Sequence, residues 1–246
     1  MRLMVFSDVH GNLEALQSVL ADAAKRNVHR SIFLGDLVGY GPYPDECIEL
    51  VRNVKNCRCI AGNHDVAALW ETSPYGMSES AKEAILWTMG QLSDENKKYL
   101  AGLPDRLDLF NMTFVHANPY NPRGWRYVMD RKYALRSFAA TRCRYLFIGH
   151  SHRPLIITRK HFFSTDLYAV SGSQEIVVKD KKRRIVNCGS VGQPRDKDPR
   201  SCYLIFDIGK QVLEFYRVGY DIEKTTQAIC SAGLPLTLGR RLLKGT

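Results

Sequence analysis

Residues 3–12 read Leu-Met-Val-Phe-Ser-Asp-Val-His-Gly-Asn. Leu3 to Phe6 is an apolar run without alternation, the pattern of a strand buried on both faces. It breaks abruptly into Ser7, Asp8 and His10 and turns at Gly11. Leu13, Leu16, Val19, Leu20 and Ala23 then recur at helical spacing. A buried strand, a polar turn and an amphipathic helix make the opening of a β-α-β unit, and therefore of a sheet with parallel strands.

The same grammar repeats outward from this stretch. Ser31 to Leu34 runs into Gly35-Asp36, and Pro44 opens a helix carrying Ile48, Leu50 and Val51. Cys57 to Ile60 leads to Gly62-Asn63-His64-Asp65, Leu109 to Val115 meets His116, and Tyr145 to Ile148 meets Gly149-His150-Ser151-His152. Helices fit Ser78 to Met89 and Ser93 to Leu100. Beyond residue 153 strand-like runs follow one another: Leu155 to Thr158, Glu175 to Val178, Arg184 to Asn187, Cys202 to Asp207 and Val212 to Val218. They suit antiparallel strands joined by turns. Asp221 to Cys230 and Leu236 to Leu243 close the chain as two helices. The expected fold is α/β, two stacked mixed sheets with helices on both outer faces, in one domain spanning 1–246.

Composition bounds the function. With 45% hydrophobic and 24% charged residues, 246 residues are enough for one sizeable core. No apolar run approaches the roughly 20 residues a bilayer needs, and Met1 to Ser7 already belongs to the first strand, with no charged, apolar and cleavage regions of a leader before it. The seven cysteines are odd in number and lack Cys-x-x-Cys spacing, which favours reduced thiols and a cytoplasmic setting. Cys57 and Cys59 fall on one face of their strand, where a structural role is the default. The net charge of +10 favours anionic partners. The dense run Lys179 to Arg184 fits a solvated hairpin turn, whereas Arg123, Arg126, Arg131, Lys132 and Arg136 follow His116 in a stretch, about 118–136, that suits a small cap over a phosphorylated substrate.

The chemistry lies at the strand ends. Loops at the carboxyl ends of parallel strands share one edge of an α/β sheet, so Asp8, His10, Asp36, Asn63, His64, His116, His150 and His152 should converge. Carboxylates, an amide carbonyl and imidazoles, without thiolates, suit hard or borderline divalent ions. Any one fragment alone is as well explained by a capping carboxylate or a surface histidine. All five at strand ends are not.

In order, DVHGN (8–12), GDLVGYGP (35–42), GNHD (62–65), VHA (115–117) and GHSH (149–152) resemble the calcineurin-like metallophosphoesterase superfamily, in particular its small YfcE-type bacterial and archaeal phosphodiesterases. NCGSVGQPRD at 187–196 resembles a further stretch of that subgroup, with Cys188 standing where many relatives have proline. The resemblance implies a four-layer α/β/β/α sandwich and two divalent metal ions, with manganese first and iron, zinc, cobalt or nickel also suited. It places Asp8, His10 and His152 on one ion, Asn63, His116 and His150 on the other, and Asp36 between them. It implies hydrolysis of phosphoesters by a metal-bridging hydroxide, as a phosphodiesterase or phosphatase.

Beside these ligands, His64 is the expected catalytic residue, donating to the leaving oxygen, and Asp65 a helix cap. Tyr40, Asn118 and Arg195 are the expected substrate contacts, with Trp125 and Tyr127 as stacking or packing residues. The expected partner is a small phosphorylated substrate, a nucleotide or dinucleoside polyphosphate among the candidates, with no membrane. A nuclease or nucleic-acid-binding protein, motivated by the charge, and a non-catalytic scaffold on the same fold are the competing readings. Substrate, oligomeric state and native metal are left open.

Overall fold

The computed structural model describes residues 1–70, 77–161 and 164–246. Strands β1 (Arg2–Phe6), β2 (Arg30–Phe33) and β3 (Cys57–Cys59) run parallel at one side of a first sheet. β9 (Gln174–Val177), β11 (Ser201–Asp207) and β12 (Val212–Val218) complete it, each antiparallel to its neighbour, in the order β3-β2-β1-β11-β12-β9. The second sheet has the order β4-β5-β6-β10-β7-β8. Its strands are β4 (Arg106–Leu109), β5 (Met112–Val115), β6 (Tyr145–Ile148), β7 (Leu155–His161), β8 (Ser164–Ala169) and β10 (Arg184–Asn187). Here β5, β6 and β10 are parallel and the rest antiparallel.

The strands pack as their side-chain period demands. Leu3, Val5, Ile32 and Leu34 from the first sheet meet Phe114, Phe147, Ile156 and Val186 from the second in the layer between the sheets. The opposite faces of β1 and β2 present Met4, Phe6 and Phe33 to α1 (Leu13–Ala24) and α2 (Pro44–Arg52). Outside the second sheet, Leu146, Ile148 and Ile157 pack on Ala134 and Phe138 of α6 (Arg131–Ala139). Each fully buried Phe or Leu contributes roughly 1.5–3 kcal/mol, so no single layer dominates. The result is the expected α/β/β/α arrangement of two mixed sheets flanked by helices.

Helix starts are set locally. Asn12 caps α1, Ser78 caps α4 (Glu79–Gln91), Ser93 caps α5 (Asp94–Ala101), Asp130 caps α6 and Asp221 caps α7 (Ile222–Ser231), each accepting a first-turn N–H. The short α3 (Asn63–Ala67) follows β3 directly, and α8 (Leu236–Lys244) packs on α7 and on Tyr40.

Three local expectations are corrected. The run Leu109 to Val115 is not one strand: Phe110 and Asn111 take φ of 53° and 60° and form a two-residue hairpin joining β4 to β5. Lys179 to Arg184 is not a hairpin turn, because β9 and β10 belong to different sheets. Within that crossover Arg183 donates to the carbonyls of Thr141 and Cys143, and Arg184 pairs with Asp180. Strand β8 is additional to the expected strands. Its residues are half-buried or exposed at the sheet edge, so no apolar alternation marks it.

Candidate metal centre

The loops after β1, β2, β3, β5 and β6 are laced to one another through backbone hydrogen bonds. Asp8 N–H donates to the Gly35 carbonyl at 3.0 Å, and Val9 and His10 N–H both donate to the Asp36 carbonyl, at 2.8 and 3.0 Å. Gly149 N–H donates to the His116 carbonyl at 2.9 Å, and Gly192 N–H to the Asp8 carbonyl at 2.9 Å. Gly35, with φ of 99°, permits this closeness, since a Cβ there would fall on the backbone of Gly62. Asp8, His10, Asp36, Tyr40, His150 and His152 themselves adopt φ between 52° and 66°. Left-handed backbone at so many non-glycine residues is characteristic of a functional site that its surroundings over-determine.

This folding brings together ligand atoms that are distant in sequence. One group holds Asp8, His10, Asp36 and His152, and a second holds Asp36, His116 and His150, with the ligand atoms of each within 4.8 Å of one another. Asp36 belongs to both. Its Oδ2 lies 3.6 Å from His10 Nε2 and 3.3 Å from His116 Nε2, while its Oδ1 accepts the His64 N–H at 2.8 Å. Asn63 Oδ1 lies 3.1 Å from His116 Nε2, which sits 3.2 Å from His150 Nδ1, so the amide joins the second group. In the first, His10 Nε2 and His152 Nε2 are 3.1 Å apart, and Asp8 Oδ1 lies 3.3 Å from His152 Nε2.

The donor set fits divalent cations on three grounds. Asp8 Oδ1 is buried without a hydrogen-bond partner, although a carboxylate oxygen at 0% exposure needs one. The backbone also fixes every imidazole in the form a metal requires. His10, His116 and His152 donate Nδ1–H to the carbonyls of Val38, Leu34 and Gln193 at 3.1, 2.8 and 2.6 Å, which turns their Nε2 lone pairs inward. His150 is reversed: its Nε2–H donates to the Trp125 carbonyl at 2.8 Å, leaving Nδ1 to face the site.

Electrostatics supply the third ground. Burial opposes ionisation of Asp8 and Asp36, but the surrounding imidazoles outweigh it and hold both below the usual carboxylate range. Burial pushes His10 and His152 down and His150 to about 3, so these rings are neutral ligands at neutral pH. His116 departs from this pattern. Burial lowers it, but Asp36 and Asp8 raise it to about 9, the mark of a site whose two carboxylates call for positive charge.

Several residues support the centre in ways that their motifs do not reveal. Asp65, expected as a helix cap, accepts the Gly62 N–H at 2.9 Å and also those of Asp36, Leu37 and Val38 at 2.8, 2.8 and 3.3 Å, clamping two ligand loops. Asn12 caps α1 through Oδ1 and donates Nδ2–H to the Gly192 carbonyl at 2.9 Å, next to Gln193. Backbone carbonyls of Leu34, Val38, Trp125 and Gln193 orient the ligands, and a carbonyl is common to every residue, so the sequence offers no signal for them.

Residues 1–211 match the calcineurin-like phosphoesterase superfamily domain. The chain belongs to that superfamily. It is a metal-dependent phosphoester hydrolase. An uncharacterized protein of Methanocaldococcus jannaschii is 37% identical over 99% of this chain and 98% of its own length. A metallophosphoesterase of Sphaerobacter thermophilus is 40% identical and superposes with a TM-score of 0.90, covering 100% of this chain and 99% of its own. A hypothetical protein of Pyrococcus horikoshii shares the fold at 21% identity, with a TM-score of 0.81 over 100% and 98% of the two chains. No helix among the described residues is long and apolar enough to cross a membrane.

Around the ligands of this phosphoesterase, the structure sorts the remaining candidates. His64 is buried, its ring edge-on to His10 with centroids 4.7 Å apart and 4.6 Å from the Tyr40 ring. Its Nδ1 has no hydrogen-bond partner, and burial pushes its pKa down to about 4. Arg195 donates to Gln193 Oε1 at 2.7 Å and to Tyr40 Oη at 3.4 Å, both neutral groups, and no ion pair to a carboxylate is formed by it among the described residues. Asn118, expected to contact substrate, is committed elsewhere. It is fully buried, donating to the Arg126 carbonyl at 3.3 Å and accepting the Asn121 N–H at 2.9 Å, so it shapes the loop. Of the stretch 118–136, Trp125 and Tyr127 reach the site, Tyr127 stacking on His150 with centroids 4.3 Å apart. Arg123 pairs with Asp105, while Arg131, Lys132 and Arg136 lie on α6 with its buried side on the second sheet.

Proposed function

We propose that this phosphoesterase works with two divalent ions bridged by Asp36 and hydrolyses a small organic phosphate, acting as a phosphodiesterase or phosphatase on substrates that include nucleotides. The carrying observation is that Asp36 falls in both ligand groups. Asp8, His10 and His152 would hold one ion and Asn63, His116 and His150 the other. Two bound ions supply an activated water and neutralise charge on the phosphoryl oxygens during in-line displacement. Oxygen and nitrogen ligands without thiolate put manganese first, with iron, zinc, cobalt and nickel able to compete. Seven free thiols suit a cytoplasmic setting.

The chain's own residues do the rest. His64, kept neutral by burial, would hydrogen-bond the leaving oxygen through a ring N–H and stabilise its developing charge. Its backbone N–H holds Asp36 Oδ1, so the same residue orients the bridging carboxylate. Arg195, held by Gln193 and resting 5.7 Å from the Tyr40 ring centroid, offers an uncompensated charge to a phosphate oxygen.

Metal analysis and turnover of bis-p-nitrophenyl phosphate on purified variants test this. Asp36→Asn should lower the content of both ions. His64→Ala should keep the metal and lose most of the rate. Full activity in His64→Ala removes its catalytic role, and a metal-loaded wild type inert toward every phosphoester tried refutes the function.

A further inference from the structure

Away from the metal centre, the two cysteines of β3 form a feature that the phosphoester chemistry does not use. Cys57 and Cys59 alternate along the strand, so both side chains leave the same face, and their sulfurs lie 3.9 Å apart. Among the described residues β3 is the edge strand of its sheet and pairs only with β2, and both thiols are half-buried at the margin of the helix-facing core. The Tyr99 hydroxyl of α5 adjoins Cys59, and the Arg52 guanidinium lies 5.1 Å from the Tyr99 ring.

The spacing is informative. With a thiolate–metal bond of about 2.3 Å, as for zinc, sulfurs 3.9 Å apart subtend an angle of about 115° at a shared ion. That is close to the trigonal angle, at which one further donor completes the set, and the Tyr99 hydroxyl adjoins Cys59. A disulfide is served less well: residues i and i+2 of one strand hold their Cβ atoms farther apart than the roughly 3.5–4.5 Å a disulfide requires, so closing it would pull β3 off β2. We propose that Cys57 and Cys59 form a dithiolate site for one soft monovalent cation of the Cu(I) class, separate in place and chemistry from the oxygen- and nitrogen-lined centre. Soft thiolates select such an ion over the hard or borderline ions of the other site. Binding is an exchange without electron transfer: two S–H bonds release two protons to water and two metal–sulfur bonds form. The bound unit carries one net negative charge.

The test uses the intact, reduced protein, saturated with Mn²⁺ so that the imidazole-lined centre is not the sink, and Ag(I) as the probe. One equivalent of Ag(I) should produce a near-ultraviolet sulfur-to-metal absorption. It should also protect two thiols from alkylation, and peptide mapping should place both at Cys57 and Cys59. Cys57→Ser and Cys59→Ser should each abolish the absorption, whereas replacing the exposed Cys230 should leave it intact. Protection at Cys230 or a buried cysteine instead, or continued alkylation of Cys57 and Cys59 with one equivalent bound, overturns the proposal. Because the mapping is done on the wild-type chain, the result stands even if a serine variant folds poorly, and it is independent of phosphoesterase activity.

Discussion

Replacing Asp65 by asparagine isolates the clamp behind the metal centre. The side chain keeps its shape, but one oxygen becomes an NH₂ group. In the wild type Oδ2 accepts from Asp36 and Gly62, and Oδ1 from Leu37 and Val38. Whichever way the amide turns, two buried N–H groups lose their acceptor and face another donor. At about 1–3 kcal/mol for each buried unsatisfied group, the cost is about 2–6 kcal/mol, a large part of the 5–15 kcal/mol typical of a folded domain. An opposing effect reduces it in the metal-free protein. Burial, then the Asp36 charge, push the Asp65 carboxyl up to about 7, so neutralising Asp65 relieves a like-charge repulsion. Bound cations neutralise Asp36 and remove that relief. The stability deficit of Asp65→Asn should therefore be larger with metal than with EDTA. Urea denaturation of both proteins in both states, with metal content by mass spectrometry, measures the difference. A variant equal to wild type in metal-free stability and metal retention would show that the four N–H contacts do not hold the ligand loops.

Three further outcomes follow from the same geometry. Tyr127 stacks on His150 at an interplanar angle of 16° and is 47% exposed. Tyr127→Ala should therefore raise KM for aryl or nucleotide esters by about 2- to 13-fold, from an aromatic contact worth roughly 0.5–1.5 kcal/mol, and an equal rise for a methyl ester would refute stacking. A Cβ at residue 62 would fall on the Asp36 carboxylate, so Gly62→Ala should lose metal and destabilise the fold by about 1–3 kcal/mol, checked by metal content and melting. Burial raises Glu214, but bonds from Arg2, with both contacts at 2.7 Å, and from Tyr216 outweigh it and leave its pKa lowered. A depressed carboxylate gives stability that is present above the unfolded value of about 4.3 and lost as pH falls through the folded value. Glu214→Gln should flatten the acid limb of the stability–pH curve, and an unchanged limb would exclude this pair as a source of the slope.

What was legible in the sequence had a local cause. Ser78, Ser93 and Asp221 announce helix starts because a short side-chain oxygen reaches its own first turn, and Leu3 to Phe6 announces a strand because both faces are buried. The ligands were legible because each stands directly after such a strand. Phe110-Asn111 was not: its two left-handed residues interrupt an apolar run without a glycine or proline to mark the turn. Strand β8 was hidden for the opposite reason, having no buried face to impose a pattern. Asn118 misled because its place near His116 in sequence suggested the rim, while its amide is committed to backbone groups of Asn121 and Arg126.

The backbone of the centre explains why its supporting residues matter as much as its ligands. Six site residues other than glycine sit at positive φ, a region where Asp and Asn are tolerated best and where each strained residue costs about 1–3 kcal/mol. Such loops would relax if they were free. They are held by Asp65 across Asp36 to Val38, by Asn12 on Gly192, by the Ser190 hydroxyl, which donates to the Asp8 carbonyl at 2.9 Å, and by Asn187, whose Nδ2–H donates to the Gly149 carbonyl. The ligand atoms are thus gathered by the loops themselves, with Asp8 Oδ1 buried in the cluster and without a hydrogen-bond donor among the described residues. A cation held between them would satisfy that oxygen and the inward imidazole lone pairs together, so the residues that hold the loops act on metal affinity as directly as the ligands do.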